Sequence, residues 1–158
     1  WLWPSRGKPM SCVFCAIAAG QMPAHLLHED EHFLVLLDIF PLRPAHVLIV
    51  SREHAPLLGD LSVPARDALL ALAARVAKAL YGCPELDVQG INLLLNDGPV
   101  ANQHVPHLHL HLLPRRRGAV PALLWRTLTR FLPLGRTRIE ARLQREVQLF
   151  RRALQAEG

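Results

Sequence analysis

The chain has 158 residues, which is enough for one domain with an ordinary buried core. Hydrophobic residues make up 51% and charged residues 20%, and no uninterrupted apolar run is long enough to cross a membrane. The formal net charge is +5. The composition and the absence of a long apolar run exclude a membrane-spanning protein, and we expect a soluble globular one.

The amino-terminal stretch WLWPSRGKPM contains basic residues but no apolar signal core and no small-residue cleavage site. We therefore expect residues 1–11 to be a flexible leader, with Met10 as a candidate natural start. Cys12, Cys15 and one further cysteine do not make the disulfide framework of a small secreted protein. A cytoplasmic location is the resulting expectation.

The first half of the chain is predicted to form one short helix and three strands. The helix covers residues 13–19 and ends at Gly20. The strands are rich in apolar residues and are bounded by turn formers; they cover residues 25–30, 33–39 and 46–54.

The second half is predicted to contain two helices separated by two strands. Apolar residues every three or four positions predict a helix from Pro64 to the residues just before Gly82. Strands are predicted over 91–97 and 107–114, and a last helix over 138–155. Strands in groups with segregated helices indicate an α+β fold with a mostly antiparallel sheet.

The carboxy-terminal segment carries the basic excess, since 11 arginines and only two acidic residues lie between Arg115 and Arg152. One interpretation is attraction of a phosphate-rich partner such as a polyphosphorylated nucleotide, a nucleic acid or an acidic surface. We prefer the solvated face of a helix, and we do not expect a nucleic-acid partner. The opposite face of that helix would carry an apolar stripe of Ile139, Leu143, Val147, Phe150 and Leu154.

The segment HVPHLHLHLLP alternates histidine with leucine. On a strand, alternate side chains leave the same face, so His107, His109 and His111 would form one row. Alternate residues lie about 6.6–6.8 Å apart, so the three rings could not bind one metal ion unaided. Imidazole is suited to nucleophilic attack and proton transfer near neutral pH, which favours a catalytic row over an ordinary wet strand face.

The run His107-Leu108-His109-Leu110-His111-Leu112-Leu113 resembles the hallmark of the histidine triad (HIT) nucleotide-binding family. The resemblance extends to the Asp-Ile-x-Pro and Pro-Ala-His elements and covers about residues 12–115. It implies a HIT-like fold with a mostly antiparallel five-stranded sheet, a central helix and a C-terminal helix. It also implies a HIT domain over 12–118 and a homodimer. The tail beyond Gly118 falls outside the resemblance, and we expect residues 119–158 to form a basic helical extension packed on the same domain.

The resemblance implies roles for individual polar residues. The middle histidine of HIT enzymes attacks the α-phosphorus of a nucleotide, which here would be His109, and forms a nucleotidyl-histidine. His111 matches the triad member that contacts phosphate oxygens, and His46 matches a further histidine that packs against the triad. Two amides match positions that face the phosphates: Asn96 and Gln103.

The resemblance also implies a nucleoside site. Asp38 matches the carboxylate that accepts hydrogen bonds from the ribose hydroxyls, and its alternative reading is a cap on the Ile39-Phe40-Pro41 turn. The matching apolar walls of the base pocket are Phe14, Ile17, Leu36 and Ile39. The alternative reading of these four residues is ordinary core.

The Cys12-Val13-Phe14-Cys15 element is by itself ambiguous between a redox pair and half of a zinc site. Several HIT proteins complete a zinc site with two histidines, and the matching residues here are His54 and His107. The resemblance therefore implies a structural Zn²⁺ site made of Cys12, Cys15, His54 and His107, and it makes a redox role the less favoured reading.

His104 is a departure from the family, which usually carries serine or threonine there. An imidazole could act as an extra acid for the leaving group, or it could point into solvent. Loss of the hydroxyl favours a dinucleoside polyphosphate or related purine nucleotide as substrate. Phosphoramidase activity, nucleotidyl transfer and a purely nucleotide-binding regulatory module remain alternatives.

Overall fold

The structure is a computed structural model that describes residues 12–116 and 136–156. The predicted leader, residues 117–118 of the predicted HIT domain, and residues 119–135 and 157–158 of the predicted extension lie outside the described residues. The described helices are α1 (Val13–Ala18), α2 (Val63–Tyr81) and α3 (Arg136–Ala156). The strands are β1 (Leu26–Glu29), β2 (Phe33–Leu37), β3 (Val47–Ser51), β4 (Gly90–Leu95) and β5 (His109–Arg115).

The five strands form one antiparallel sheet with the order β1-β2-β3-β5-β4. The histidine-bearing strand β5 therefore lies between β3 and β4. In the register of β3 with β5, Leu48 is opposite His111 and Val50 is opposite His109. The predicted α+β fold, with its five-stranded antiparallel sheet, central helix and C-terminal helix, is confirmed.

One face of the sheet is covered by α2 and α3. Leucines 108, 110 and 112 point to this face and belong to the larger core cluster, as the strand periodicity predicts. Helix α2 begins with Pro64 in its first turn and ends at Gly82, and its buried residues recur at helical spacing. From α3 the same core receives Leu143, Val147, Phe150 and Leu154.

The opposite face is covered by α1 and carries the histidines. A second core cluster there contains Leu34, Leu36, Leu48 and Val50 from the sheet, with Cys12 and Phe14 from the amino-terminal segment. Because leucine and histidine alternate along β5, the leucines lie on the face that is buried under α2 and α3. The histidines lie on the opposite face, which α1 covers only in part. No helix of the described segments is long and apolar enough to cross a membrane.

Strand β5 begins at His109, two residues later than predicted. The reason is that the backbone N–H of Leu108 donates to the carbonyl of Ala55 at 2.7 Å, outside the sheet ladder. Strand β3 likewise ends at Ser51, short of the predicted residue 54, where the Ser51 hydroxyl donates to the carbonyl of Glu53 at 2.9 Å. His107 consequently lies just before the strand and faces α1, not the row formed by His109 and His111.

Candidate active site

A row of polar side chains crosses three neighbouring strands on the α1 face. Asp38 directly follows β2, His46 directly precedes β3, and His111 lies in β5. The backbone N–H of Asp38 donates to the carbonyl of His46 at 2.9 Å, so the two strand ends stay paired at this point. The sheet thereby brings together residues from distant parts of the sequence.

His109 is held by the backbone of His107. Its Nδ1–H donates to the carbonyl oxygen of His107 at 2.7 Å, which leaves Nε2 as the unprotonated nitrogen of a neutral ring. Burial lowers the pKa of His109, and the charge of His104 acts in the same direction, against the His107 carbonyl and the Asp38 carboxylate. The ring is therefore neutral at neutral pH and presents a lone pair.

Two aromatic contacts fix the plane of the His109 ring. Phe14 of α1 packs against it with ring centroids 5.1 Å apart, and His111 lies edge-on with centroids 4.9 Å apart. The nucleophile candidate therefore has one apolar neighbour and one imidazole neighbour.

Asp38, His46 and His111 form a hydrogen-bonded chain. Nδ1 of His46 lies 3.1 Å from Oδ2 of Asp38, and Nε2 of His46 lies 2.9 Å from Nδ1 of His111. The backbone N–H of Leu42 also lies 3.3 Å from Nδ1 of His46, but a carboxylate only accepts, so we assign a proton to this nitrogen on the nearer Asp38 side. One proton then lies between the two imidazoles. This chain of hydrogen bonds fixes the orientation of the His111 ring.

The predicted nucleoside residues do not all lie at the surface. Leu36 is a core residue beneath α1, whereas Ile39 is exposed and Ile17 is partly buried. Asp38 is buried, and its Oδ1 accepts the backbone N–H of Phe40 at 2.8 Å. The capping role considered for Asp38 is thus present, together with the contact to His46.

Gln103 joins three loop segments through its side-chain amide. Oε1 accepts the N–H of Gly98 at 2.7 Å, and Nε2 donates to the carbonyl of Pro56 at 2.7 Å. The side chain is buried. In this structure Gln103 therefore holds the loop that leads to the histidines, while its phosphate contact stays a prediction.

Asn96 and His104 lie at the ends of the same loop. Asn96 donates through Nδ2 to the carbonyl of Asn102 at 3.3 Å, and His104 is exposed. The charge of His104 contributes to lowering the pKa of His109. A phosphate contact for Asn96 stays a prediction.

The four predicted metal ligands converge. Cys12, Cys15, His54 and His107 each present one ligand atom, and these atoms all lie within 4.8 Å of one another. Nδ1 of His107 lies 3.4 Å from the Cys12 sulfur and 3.3 Å from Nδ1 of His54, and the latter lies 3.3 Å from the Cys15 sulfur.

These spacings match the edges of a tetrahedron around a metal ion. With Zn–N near 2.0–2.1 Å and Zn–S near 2.3 Å, ligand nitrogens lie about 3.3–3.4 Å apart, and a nitrogen and a sulfur about 3.5–3.6 Å apart. Within the described residues, Cys12, Cys15 and Cys83 form no disulfide. The donor set and its spacing fit a closed structural zinc site.

The backbone of Ser51 orients His107 for that site. Nε2–H of His107 donates to the Ser51 carbonyl at 2.7 Å, so the lone pair of Nδ1 points at the sulfurs. Burial lowers the pKa of His107 to about 4, which keeps the ring neutral. Sequence reasoning did not identify Ser51, because a carbonyl oxygen has no sequence signal.

Comparisons with known proteins agree with this geometry. A family profile described as "HIT domain" matches residues 19–118. An uncharacterised HIT-like protein of Mycobacterium tuberculosis is 39% identical over 109 residues, covering 69% of this chain and 74% of that protein. A Schizosaccharomyces pombe protein named adenosine 5'-monophosphoramidase is 38% identical over 106 residues, covering 67% of this chain and 75% of that protein.

A solved structure extends the likeness beyond the profile. It is a zinc-bound histidine triad family protein from Mycobacterium smegmatis, with a TM-score of 0.74 and 34% sequence identity. The match covers 94% of this chain and 96% of the other. With a profile over more than half of the residues and a close relative over two thirds of them, the chain belongs to the histidine triad (HIT) family.

Proposed function

We propose that the protein is a hydrolase that cleaves nucleotides at the α-phosphate through a nucleotidyl-His109 intermediate. The observation that supports it best is the 2.7 Å hydrogen bond from His109 Nδ1–H to the His107 carbonyl. This bond selects the tautomer whose Nε2 lone pair can attack phosphorus.

The reaction has two displacements. In the first, Nε2 of His109 forms a bond to the α-phosphorus while the bond from phosphorus to the leaving group breaks, and the leaving group takes up a proton from His104 or solvent. In the second, water attacks the same phosphorus and releases a proton to solvent, and the P–N bond breaks with its electron pair returning to Nε2. A nucleoside monophosphate leaves, and His109 is neutral again. Two displacements replace one difficult attack by water on an anionic phosphate.

His111 would stabilise the phosphate oxygens in both steps. Its ring is held at Nδ1 by His46, which leaves Nε2 directed away from that bond. Asp38 contacts Nδ1 of His46, and His46 in turn contacts Nδ1 of His111, so the chain would keep the His111 ring oriented as charge builds on the phosphate. The two buried partners fix His111 before substrate binds.

Two observations favour different leaving groups. His104 replaces the usual hydroxyl and lies close enough to His109 to affect its pKa, which suits protonation of a polyphosphate leaving group. The S. pombe relative is named a monophosphoramidase, which favours a nitrogen leaving group. We therefore propose dinucleoside polyphosphates as first substrates and nucleoside phosphoramidates as the second class.

The nucleoside would bind beside α1 and the turn after β2. Phe14, Ile17 and exposed Ile39 provide apolar surface for a purine base, and Leu36 supports it from the core. A carboxylate has about four lone-pair sites. Asp38, which accepts the N–H of Phe40 and contacts His46, would also accept hydrogen bonds from the ribose hydroxyls.

We further propose a structural zinc ion held by Cys12, Cys15, His54 and His107. Zinc would supply four strong bonds between the amino-terminal segment and the strands, with no open position for a reacting group. The spacing of the donors and the zinc-bound M. smegmatis relative support this assignment.

We propose that the chain forms a homodimer through the edge strand β4. This strand ends the sheet order and exposes Leu93 and Leu94 by 52% and 44%. Edge strands with exposed apolar side chains favour pairing with another chain. Light scattering on the eluted protein should give twice the chain mass, and a monomer at micromolar concentration would contradict the proposal.

A cytoplasmic location is also proposed, because a Cys-x-x-Cys pair that serves as a metal site, as proposed for Cys12 and Cys15, suits a reducing compartment. Cell fractionation with a periplasmic or secreted marker tests it, and recovery outside the cytoplasm would contradict it.

The function is tested by turnover of a nucleotide panel together with trapping of the intermediate. Dinucleoside polyphosphates, adenosine phosphoramidate and ADP are compared on protein of measured zinc content. Rapid quenching with labelled substrate should yield an acid-labile phosphohistidine on His109. Tight nucleotide binding with neither turnover nor adduct would replace the hydrolase by a nucleotide-binding regulatory module.

A further inference from the structure

A buried carboxylate of the last helix reaches the turn that precedes His46. Glu146 is only 5% exposed, and its Oε2 accepts the backbone N–H of Ala45 at 3.0 Å. Its Oε1 lies 3.4 Å from Nε of Arg142, one turn earlier in α3. Charged side chains are rarely this buried unless paired, so the position of Glu146 requires these partners.

The backbone at Ala45 is in a conformation that it would not adopt unaided. Its φ is +54°, in the left-handed region, where a Cβ atom is crowded by the following peptide. Such a residue persists where its surroundings over-determine it. The N–H of Ala45 belongs to the Pro44–Ala45 peptide, so the Glu146 carboxylate fixes the plane of that peptide, from which φ of Ala45 is measured.

The next residue after Ala45 is His46, the centre of the chain from Asp38 to His111. A rotation of the Pro44–Ala45 peptide would change φ of Ala45 and so move the His46 ring away from both partners, which lie at 3.1 and 2.9 Å. The geometry of His46 therefore depends on how the turn before it is held.

Helix α3 is itself firmly placed. Leu143, Val147 and Phe150 surround Glu146 on the helix and are buried in the main core. Glu146 lies 28 positions beyond the end of the matched profile at residue 118 and 101 residues from Ala45. The contact thus joins the active-site turn to a part of the chain that carries none of the family motifs.

We propose that Glu146 is a positioning residue for the reaction: through the Ala45 amide it fixes His46 and, through His46, the ring of His111. The role in turnover rests on the proposed function, whereas the effect on the two rings does not. The experiment therefore measures the imidazole signals of His46 and His111 as well as kcat.

The test uses the full-length chain labelled with ¹⁵N and ¹³C. In the unaltered protein, a scalar coupling across the hydrogen bond should join the Ala45 nitrogen to the side-chain carboxyl carbon of Glu146. This measurement needs no variant, so it applies even if a substitution prevents folding. A missing coupling together with fast exchange of the Ala45 amide would overturn the proposal.

Four variants separate positioning from stability. Glu146→Ala should speed exchange of the Ala45 amide at least about tenfold, shift the imidazole ¹⁵N signals of His46 and His111, and lower kcat about 10- to 100-fold. Glu146→Gln keeps an acceptor and should retain most of the protection and kcat. Adding Ala45→Gly to Glu146→Ala should recover part of kcat, because glycine adopts positive φ without crowding.

Val147→Ala is the matched control, since it truncates a neighbouring buried residue of the same helix. It should lower the melting temperature without shifting the two imidazole signals. Equal effects of Val147→Ala and Glu146→Ala on those signals would reduce Glu146 to a structural residue and overturn the proposal. Shifted rings in a protein without turnover would support the positioning role and count against the hydrolase alone.

Discussion

Nε2 of His46 lies 2.9 Å from Nδ1 of His111, although 65 residues separate them in the sequence. The contact exists because β3 and β5 are neighbours in the sheet and both histidines point to the face under α1. With Asp38 at its far end, this pair connects a buried carboxylate to the phosphate side of the candidate site.

Asp38→Asn should disrupt the contact between His46 and His111 while preserving the turn at Phe40. An asparagine oxygen can still accept the N–H of Phe40, but its amide group would meet the Nδ1–H of His46 as a second donor. The His46 ring would change tautomer, and kcat should fall by about 10²- to 10⁴-fold. Asp67→Asn, on the exposed side of α2, is the control; equal activity of the two variants would contradict the assignment.

His109→Ala should abolish turnover, with a loss of about 10³-fold or more, and should remove the phosphohistidine adduct. The measurement is steady-state turnover of the favoured nucleotide, with circular dichroism to verify folding. His32→Ala, at the turn between β1 and β2, should keep full activity. Retained turnover in the His109 variant would exclude the covalent mechanism.

Zinc content should be about one ion per chain, as a four-ligand structural site requires. Cys15→Ser should reduce the bound metal and lower the melting temperature, because α1 would lose a bond to the segments holding His54 and His107. Cys83→Ser is the matched control, since Cys83 is buried in the main core and outside the cluster. Mass spectrometry under native conditions measures the metal; equal zinc in both variants would refute the site.

Gln103→Ala should destabilise the protein by about 1–3 kcal/mol, because the N–H of Gly98 and the carbonyl of Pro56 would lose their partner. Gln103→Glu should not restore stability, since it places a carboxylate oxygen against the Pro56 carbonyl. Denaturant unfolding measures the effect. Gln89→Ala, at an exposed position, is the control and should change the free energy of unfolding little.

His104→Ser tests substrate choice. It introduces the hydroxyl that the family usually carries and removes the imidazole beside His109. The ratio of kcat/KM for a phosphoramidate to that for a dinucleoside polyphosphate should rise, by roughly tenfold if the hydroxyl supplies one hydrogen bond to the leaving group. An unchanged ratio would mean that His104 does not select the leaving group.

The alternation of leucine and histidine predicted the fold, because one face of a half-buried strand must be apolar and the other polar. Leu108, Leu110 and Leu112 had to be buried, so the register of β5 and the side of the sheet that carries His109 followed. The convergence of Cys12, Cys15, His54 and His107 could not be derived from spacing and came from the family resemblance.

Other features depend on backbone groups and had no pattern to reveal them. The carbonyls of Ser51, His107 and Ala55 orient or displace the histidines, yet any residue could supply them. The sequence did contain an indication that Glu146 has a buried partner. It lies three residues after Leu143 and four before Phe150, within the apolar stripe of α3, where a carboxylate needs a buried partner.

The hydrogen bond between Ala45 and Glu146 also affects the order in which the protein folds during its synthesis. It closes a loop of 101 residues, so it is among the most non-local contacts of the chain and costly to form early. On the ribosome, all five strands are made before Glu146 is added. The turn that bears His46 can therefore reach its final shape only after α3 has been synthesised, which delays completion of the candidate site until this helix docks.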